Sequence, residues 1–176
     1  MGYTAKRFDS SGRMLTEESR VNTAVCFTGH RELPDRLSAE YRGLVMAAWE
    51  ALQRVYANGV RDFYTGGAAG FDQLAGELVL RLKSRDPSVS LHILLPYAGY
   101  TGKQTVESLR ARKALLSAAD EVTALFPSYF RSCFILRDRE LVERTEGCIA
   151  YLRKVPSGTA WTVSFAKKKG MDVILL

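Results

Sequence analysis

The 176-residue chain is 47% hydrophobic and 25% charged, which is ordinary for one globular domain. Its formal net charge is +6, but the basic residues are not concentrated in one long run, so charge gives little support to a nucleic-acid partner. No apolar run approaches the roughly 18 residues of a membrane span, and no apolar signal segment stands at the N-terminus. We therefore expect a cytoplasmic protein without membrane contact. Three cysteines without a C-x-x-C pair and only two histidines argue against a disulfide framework or a metal site.

Residues 1–22 are polar and lack a sustained period, which predicts a flexible or irregular arm before a single domain over residues 23–176. The rest of the chain alternates short apolar runs with longer helical patterns. The predicted strands, in chain order, are 24–27, 60–64, 90–95, 121–126, 147–152 and 172–176. The predicted helices are 38–56, 71–83, 106–118, 134–145 and 159–169. This alternation predicts an α/β fold, with a mostly parallel sheet and helices on both faces.

The most informative stretch is Thr65–Glu77, where glycines separate a predicted strand from a predicted helix. Gly66, Gly67 and Gly70 permit positive φ and a close approach of a ligand to the backbone. The helix start that follows presents N–H groups and a partial positive charge, which suit an anion. The stretch is neither a Walker loop nor a Gly-x-Gly-x-x-Gly fingerprint. It therefore predicts a nucleotide-like ligand without naming one.

Two carboxylates follow these glycines. Asp72 is predicted either to cap the helix or to accept hydrogen bonds from ribose hydroxyls. Glu77 comes five residues later, about 140° around the helix axis. The two side chains should therefore face in different directions and not form an acid/base pair. For Glu77, an ion pair or a solvated position is as compatible with the sequence as a place in the pocket.

Two further junctions should share the rim at the carboxyl ends of the parallel strands. After the first strand, Arg31 is a natural partner for phosphate oxygens, and His30 is better explained as an ordering or packing group. Before the last helix, Ser157–Thr159 offers hydroxyls and N–H groups to an anion or simply caps the helix. Arg137 either turns into the cleft or lies on a solvated face, and the loop 97–104 either stacks its tyrosines on a base or is a surface loop.

Together these pieces resemble the YpsA-like branch of the SLOG superfamily, the Rossmann-like group that includes the Smf/DprA and LOG proteins. The resemblance covers roughly residues 23–176 in the expected order. Its residues are Thr28-Gly29-His30-Arg31, Gly66–Asp72 with Ala75 and Glu77, Leu95-Pro96-Tyr97, Arg137-Asp138 with Val142-Glu143, and Gly158-Thr159 with Ala166 and Gly170.

The resemblance implies a Rossmann-like sheet whose glycine loops bind a nucleotide or nucleotide-derived ligand. It also implies a link with cell division and envelope processes in Firmicutes. LOG members are phosphoribohydrolases of nucleoside monophosphates with the motif Pro-Gly-Gly-x-Gly-Thr-x-x-Glu. In this chain Thr162 stands at the position of that glutamate, so the match to LOG chemistry is incomplete. Asp138 and Glu143 stand where the family pattern has Asn and Asp.

Three hypotheses for function follow. The first is a non-catalytic binder or sensor of a nucleotide-type ligand such as ADP-ribose or an NAD-like molecule. In it, Arg31 and the backbone of 66–70 hold phosphate, Asp72 contacts ribose, and residues 157–159 close the other side. The second is an N-glycosidic hydrolase in which Asp72 or Glu77 serves as the carboxylate. The third is a protein associated with single-stranded DNA, ranked last because no basic stripe is interleaved with aromatic residues.

The sequence identifies no cofactor, no metal ligand and no catalytic residue, and it leaves a homo-oligomer open. The expected partner is a nucleotide-type small molecule. The predicted ligand-binding residues are Thr28, Gly29, Arg31, Gly66, Gly67, Gly70, Asp72, Glu77, Arg137, Ser157, Gly158 and Thr159.

Overall fold

A computed structural model describes residues 24–102 and 105–176 of the chain. The arm predicted over residues 1–22 and the last two residues of the loop 97–104 lie outside the described residues. None of the helices in the described part has the length and apolar character needed to span a bilayer.

The described residues form six strands and five helices in strict alternation. The strands are β1 (Ala24–Gly29), β2 (Asp62–Thr65), β3 (Ser90–Tyr97), β4 (Glu121–Phe126), β5 (Gly147–Tyr151) and β6 (Asp172–Leu175). The helices are α1 (Ala39–Ala57), α2 (Phe71–Lys83), α3 (Val106–Ala118), α4 (Cys133–Glu143) and α5 (Gly158–Lys168). Each predicted element is present, and its bounds differ from the prediction by no more than two residues at either end.

All strand pairs in the described sheet are parallel, in the order β4-β3-β2-β1-β5-β6. From β1 the chain builds outwards to β4, crosses back, and continues with β5 on the other side of β1. The strand order therefore reverses between β1 and β5, and a crevice is expected at the carboxyl ends of these two strands. The predicted Rossmann-like α/β fold is confirmed.

Helices cover both faces of the sheet. Alternate side chains of β1 point in opposite directions, so this strand contacts both helical layers. Val25 and Phe27 belong to a buried cluster with residues of α1, α2 and α3. Cys26, between them, belongs to a second buried cluster with residues of α4 and α5. A strand buried on both sides reads as a continuous apolar run, as observed for the start of β1.

The third strand is longer than predicted. The sequence places its end at Leu95 because Pro96 cannot donate a backbone hydrogen bond. In the structure β4 continues alongside, and the register pairs Leu95 with Ala124 and Tyr97 with Phe126. The extension carries the aromatic side chain of Tyr97 towards the carboxyl rim of the sheet.

A matched pair of glycine substitutions tests the close contact between β1 and α2. A Cβ at Gly29 would lie 2.5 Å from Cβ of the fully buried Phe71, whereas a Cβ at Gly43 in α1 would meet nothing within 4 Å. We expect Gly29→Ala to lower the free energy of unfolding by roughly 1–3 kcal/mol through overpacking. Gly43→Ala should raise it by about 0.5–1 kcal/mol, since alanine favours the helix. Urea unfolding measures both, and equal effects would contradict the described contact.

Candidate functional site

The reversal in strand order produces a cleft of about 300 Å³ above β1, which we call the central cleft. Its walls come from the end of β1, the glycine loop before α2, the inner face of α4 and the start of α5. The lining residues are Phe27, Thr28, Gly29, His30, Arg31, Ala68, Asp72, Phe134, Arg137, Asp138, Leu141, Ser157, Gly158 and Thr159.

The structure brings eight of the predicted site residues to this cleft, although they come from four separate segments of the chain. These residues are Thr28, Gly29, Arg31, Asp72, Arg137, Ser157, Gly158 and Thr159. The other four predicted residues do not line it. They are Gly66, Gly67, Gly70 and Glu77.

Arg137 turns inwards, which answers the question that the sequence left open. Its side chain is only 7% exposed, its Nε donates to Oδ1 of Asp138 at 2.8 Å, and its Nη1 lies 3.8 Å from Oδ2 of Asp72. Burial by itself would lower the pKa of Arg137, but the two carboxylates raise it above its ordinary value. The guanidinium is therefore a permanent positive charge between two acids.

The glycine loop is packed against protein groups. A Cβ at Gly66 would overlap the guanidinium of Arg137, so this position is occupied by the one residue that lets the arginine lie there. Gly67 has φ +64°, and its carbonyl accepts from Nε of Arg112 at 3.2 Å. Gly70 has φ +84° and abuts the backbone of Arg31. Of this loop, Ala68 is the residue that faces the central cleft.

Asp72 is a buried carboxyl group, 6% exposed, in the first turn of α2. The prediction that Asp72 caps the helix is wrong, because the cap position is occupied by Gly70, which has no side chain. Oδ2 of Asp72 instead accepts from the backbone N–H of Ala68 at 3.2 Å. Burial raises the pKa of Asp72 from 3.8 to about 6, against the opposing effects of Arg137 and the Ala68 N–H. Perturbed carboxyl groups in clefts are candidates for function.

His30 ties three loops of the rim together. Its backbone oxygen accepts from the N–H of Phe71 at 3.1 Å, which fixes the start of α2. Its ring Nε2 accepts from the backbone N–H of Lys154 at 3.0 Å, which fixes the segment after β5. The ring also contacts Tyr151 edge-on, with the centroids 6.3 Å apart. These contacts are of the ordering kind that the sequence predicted, and they require a neutral ring with its proton on Nδ1.

Arg31 lies at the exposed rim of the cleft, with its guanidinium 5.7 Å from the ring centre of Phe134. Among the described residues it has no ion-pair partner. Across the cleft, Oγ of Ser157 accepts from the N–H of Ala160 at 3.0 Å. The N–H of Gly158, at the start of the same helix, has no intrahelical acceptor. Both edges of the cleft can therefore bind an anion.

Glu77 lies apart from Asp72, in agreement with their helical spacing. It lines a second cavity of about 410 Å³, between the segment after β1, α2 and the start of α3. His92 is remote from both cavities, since its ring stacks on Tyr64 and lies between the carboxylates of Asp62 and Glu121, at 2.8 and 3.0 Å. Tyr100 of the predicted stacking loop is 3% exposed.

Residues outside the predicted set also lie at or behind the cleft, among them Phe134, Asp138 and Arg112. The spacing of Phe134, Arg137, Asp138 and Leu141 is i, i+3, i+4, i+7, which marks one helix face and could have shown all four together. Arg112 carried no such signal. It supports the glycine loop from α3 while its Nη2 has no hydrogen-bond partner among the described residues.

Replacing Asp72 with Asn tests the cost of keeping a carboxylate there. Because the folded pKa of about 6 lies above the ordinary 3.8, its contribution to stability is fully present below about pH 3.8 and is lost as the pH rises through about 6. Asp72→Asn should therefore be more stable than the wild type at about pH 8, by on the order of 3 kcal/mol for some two pKa units. This advantage should shrink towards zero near pH 4.

Urea unfolding across this pH range measures the difference in the free energy of unfolding between the two proteins. The contributions of other titrating groups are common to both and cancel in this difference. Asp138→Asn is the matched control, because it keeps an oxygen acceptor for Arg137 but removes the negative charge of this buried ion pair, and should lower stability at about pH 8. A gap between wild type and Asp72→Asn that stays constant with pH would contradict the described environment of Asp72.

Acidification should release the contact between His30 and Lys154. Burial, followed by the nearby charge of Lys154, lowers the pKa of His30 below 6.5. The contact is therefore fully present above about pH 6.5 and is lost as the pH falls through the folded pKa. The amide signal of Lys154 in nitrogen–proton spectra should follow the titration of His30. In His30→Gln, which keeps an acceptor but does not titrate, the Lys154 signal should no longer depend on pH in this range. In His92→Gln its pH dependence should be the same as in the wild type. A signal that responds in His30→Gln would count against the contact.

Comparison with known proteins gives one curated relative and several structural ones. The UPF0398 protein BH1768 of Halalkalibacterium halodurans is 25% identical over 138 residues, which are 75% of this chain and 73% of that protein. DNA processing protein A of Helicobacter pylori, described with a single-stranded DNA binding mode, matches with a TM-score of 0.58 and 17% identity. DNA processing protein A of Streptococcus pneumoniae matches with a TM-score of 0.61 and 18% identity.

Both of these structural matches cover 86% of this chain, but only 64% and 49% of the two DNA processing proteins. The protein TM1055 matches with a TM-score of 0.54 and 14% identity, over 86% of this chain and 72% of that one. At these identities the three structures show a shared fold. The family model described as the YspA SLOG family matches residues 26–170. The chain therefore belongs to the YspA SLOG family.

Proposed function

We propose that the central cleft binds a nucleotide or nucleotide-derived ligand, such as ADP-ribose or an NAD-like molecule, and that the protein acts as a binder or sensor. A regulatory role in cell division or envelope processes goes with this proposal through the family resemblance. The observation that carries it is the composition of the cleft. At the rim lie Arg31, which has no ion-pair partner among the described residues, and a helix start across from it, and two carboxylates lie inside.

The anionic part of the ligand belongs at the rim. The guanidinium of Arg31 can bind two phosphate oxygens at once, and it has no competing carboxylate partner among the described residues. The start of α5 adds N–H groups and a partial positive charge on the opposite side. Ser157 keeps this helix start in place by accepting from Ala160.

The sugar belongs deeper in the cleft, where Asp72 and Asp138 flank Arg137. Ionised carboxylates are hydrogen-bond acceptors only, so they suit hydroxyl groups and repel phosphates. We assign Gly66 and Gly67 a supporting role, since Gly66 leaves room for the guanidinium of Arg137 and the carbonyl of Gly67 accepts from Arg112. Ala68 is the residue of this loop that lines the cleft. Phe134 offers an apolar ring at the same wall.

A second candidate, N-glycosidic hydrolysis, is favoured by the pKa of Asp72 of about 6. A carboxyl group near this value can exchange a proton with water or a leaving base close to neutral pH. Water would form the new bond to the anomeric carbon while the bond to the base nitrogen breaks, and the departing base would take the proton. Against this reaction, Thr162 stands where LOG enzymes have glutamate.

Calorimetry with a panel of nucleotides, ADP-ribose and NAD tests the binding proposal. Arg31→Gln should weaken binding about 10- to 100-fold, because a charge-assisted hydrogen bond contributes roughly 1.5–3 kcal/mol. Arg139→Gln is the control, since Arg139 lies on the exposed face of α4 and pairs with Glu143. No binding by the wild type, or equal binding by Arg31→Gln, would overturn the proposal. Preference for a single-stranded oligonucleotide would move it towards the DNA-associated alternative.

Chromatography of the same mixtures separates binder from hydrolase. Release of free base that stops in Asp72→Asn would establish the hydrolase. Binding without release at high protein concentration would support the binder. Calorimetry on Asp72→Asn completes the comparison, because loss of a hydroxyl contact weakens binding whether or not a reaction occurs.

A further inference from the structure

A third cavity, distinct from the one lined by Glu77, adjoins the central cleft at the carboxyl end of β5. It has a volume of about 460 Å³, and we call it the side cavity. Its lining residues are His30, Arg31, Glu32, Leu33, Pro34, Glu40, Tyr151, Arg153 and Lys154. His30 and Arg31 line both the side cavity and the central cleft, so these two residues form the boundary between them.

The side cavity is lined by two basic residues, Arg153 and Lys154, that do not line the central cleft. Arg153 is exposed, and its Nη1 donates to the hydroxyl of Tyr151 at 3.3 Å. Neither Arg153 nor Arg31 has an ion-pair partner among the described residues. Lys154 pairs with Glu32 at 3.0 Å, but both side chains are largely exposed, so this pair is weak and can be displaced.

The two cavities therefore differ in charge. In the interior of the central cleft, Asp72 and Asp138 both pair with Arg137, so the two carboxylates there are balanced by one cation among the described residues. The side cavity is lined by three cations and two carboxylates, which are Arg31, Arg153, Lys154, Glu32 and Glu40. A row of linked phosphates that begins at Arg31 is attracted by the cations of the side cavity and repelled by the carboxylates of the central cleft.

We propose that the side cavity is a second phosphate subsite, so that the ligand carries at least two linked phosphates, the outer one bound between Arg31 and Arg153. The inference rests on the proposed function, because it takes the sugar of the same ligand to lie in the central cleft. His30 supports the subsite by holding the backbone of Lys154 in place. The ligand class is thus a nucleoside diphosphate or a molecule containing one.

Paired calorimetry with nucleoside monophosphates and diphosphates of adenine, guanine, cytosine and uracil tests this subsite. The diphosphate that binds should do so at least about tenfold more tightly than its monophosphate, and Arg153→Gln should remove most of this difference while changing monophosphate affinity less than about twofold. Arg31→Gln should weaken both members of the pair. Arg139→Gln is again the control. Because Arg153 is exposed, Arg153→Gln should fold normally, and a change in its affinity should reflect a lost ligand contact.

Glu32→Gln gives a readout of opposite sign. It frees Lys154 from its ion pair, so diphosphate affinity should rise a few-fold while monophosphate affinity stays constant. Equal affinity for monophosphate and diphosphate, with no effect of Arg153→Gln, would overturn the subsite and leave the proposed function standing. Absence of binding by any nucleotide would overturn both.

Discussion

The rim of this sheet depends on one buried contact, in which the guanidinium of Arg137 lies against Gly66 between Asp72 and Asp138. Three elements meet there, since Arg137 and Asp138 belong to α4, Asp72 to α2 and Gly66 to the loop after β2. Removing an ionised group from water is costly, and the cost is offset only when partners surround the charge. The contact therefore constrains both helices, because a shift of either one would leave a buried charge without its partner.

Outside this buried contact, His30 connects the segments that form the rim. One histidine connects the ends of β1 and β5 and the start of α2, through its backbone oxygen and its ring nitrogen. The neighbouring Arg31 and Arg153 remain without ion pairs among the described residues. A scaffold that fixes backbone while leaving cations unpaired is suited to binding, since little ordering remains to be done when a ligand arrives.

Much of this could be predicted from the sequence because short apolar runs and helical patterns alternate with few exceptions. The sequence correctly predicts that the glycine stretch lies between a strand and a helix, but it predicts contact with a ligand where the structure shows contact with protein groups. Gly66 permits close approach, as expected, yet the group that approaches is the guanidinium of Arg137, from the same chain. Sequence spacing could not show this, because Arg137 lies about 70 residues downstream and reaches Gly66 only through the crossover to β5. By contrast, the separation of Asp72 and Glu77 follows from helix geometry alone, and it was predicted.

The charge arrangement orients the proposed ligand. With a pKa of about 6, Asp72 is mostly ionised at neutral pH, so the interior holds two carboxylates against one arginine. Phosphate is repelled there and attracted to Arg31 at the rim, which directs the sugar inwards and the phosphates outwards over β5. In Rossmann folds with a Gly-x-Gly-x-x-Gly loop, the phosphates instead lie on the glycines after the first strand. Here the guanidinium of Arg137 occupies the space beside Gly66, and Arg112 bonds the carbonyl of Gly67. The proposed phosphates therefore need another basic surface, and the end of β5 offers one with Arg153 and Lys154.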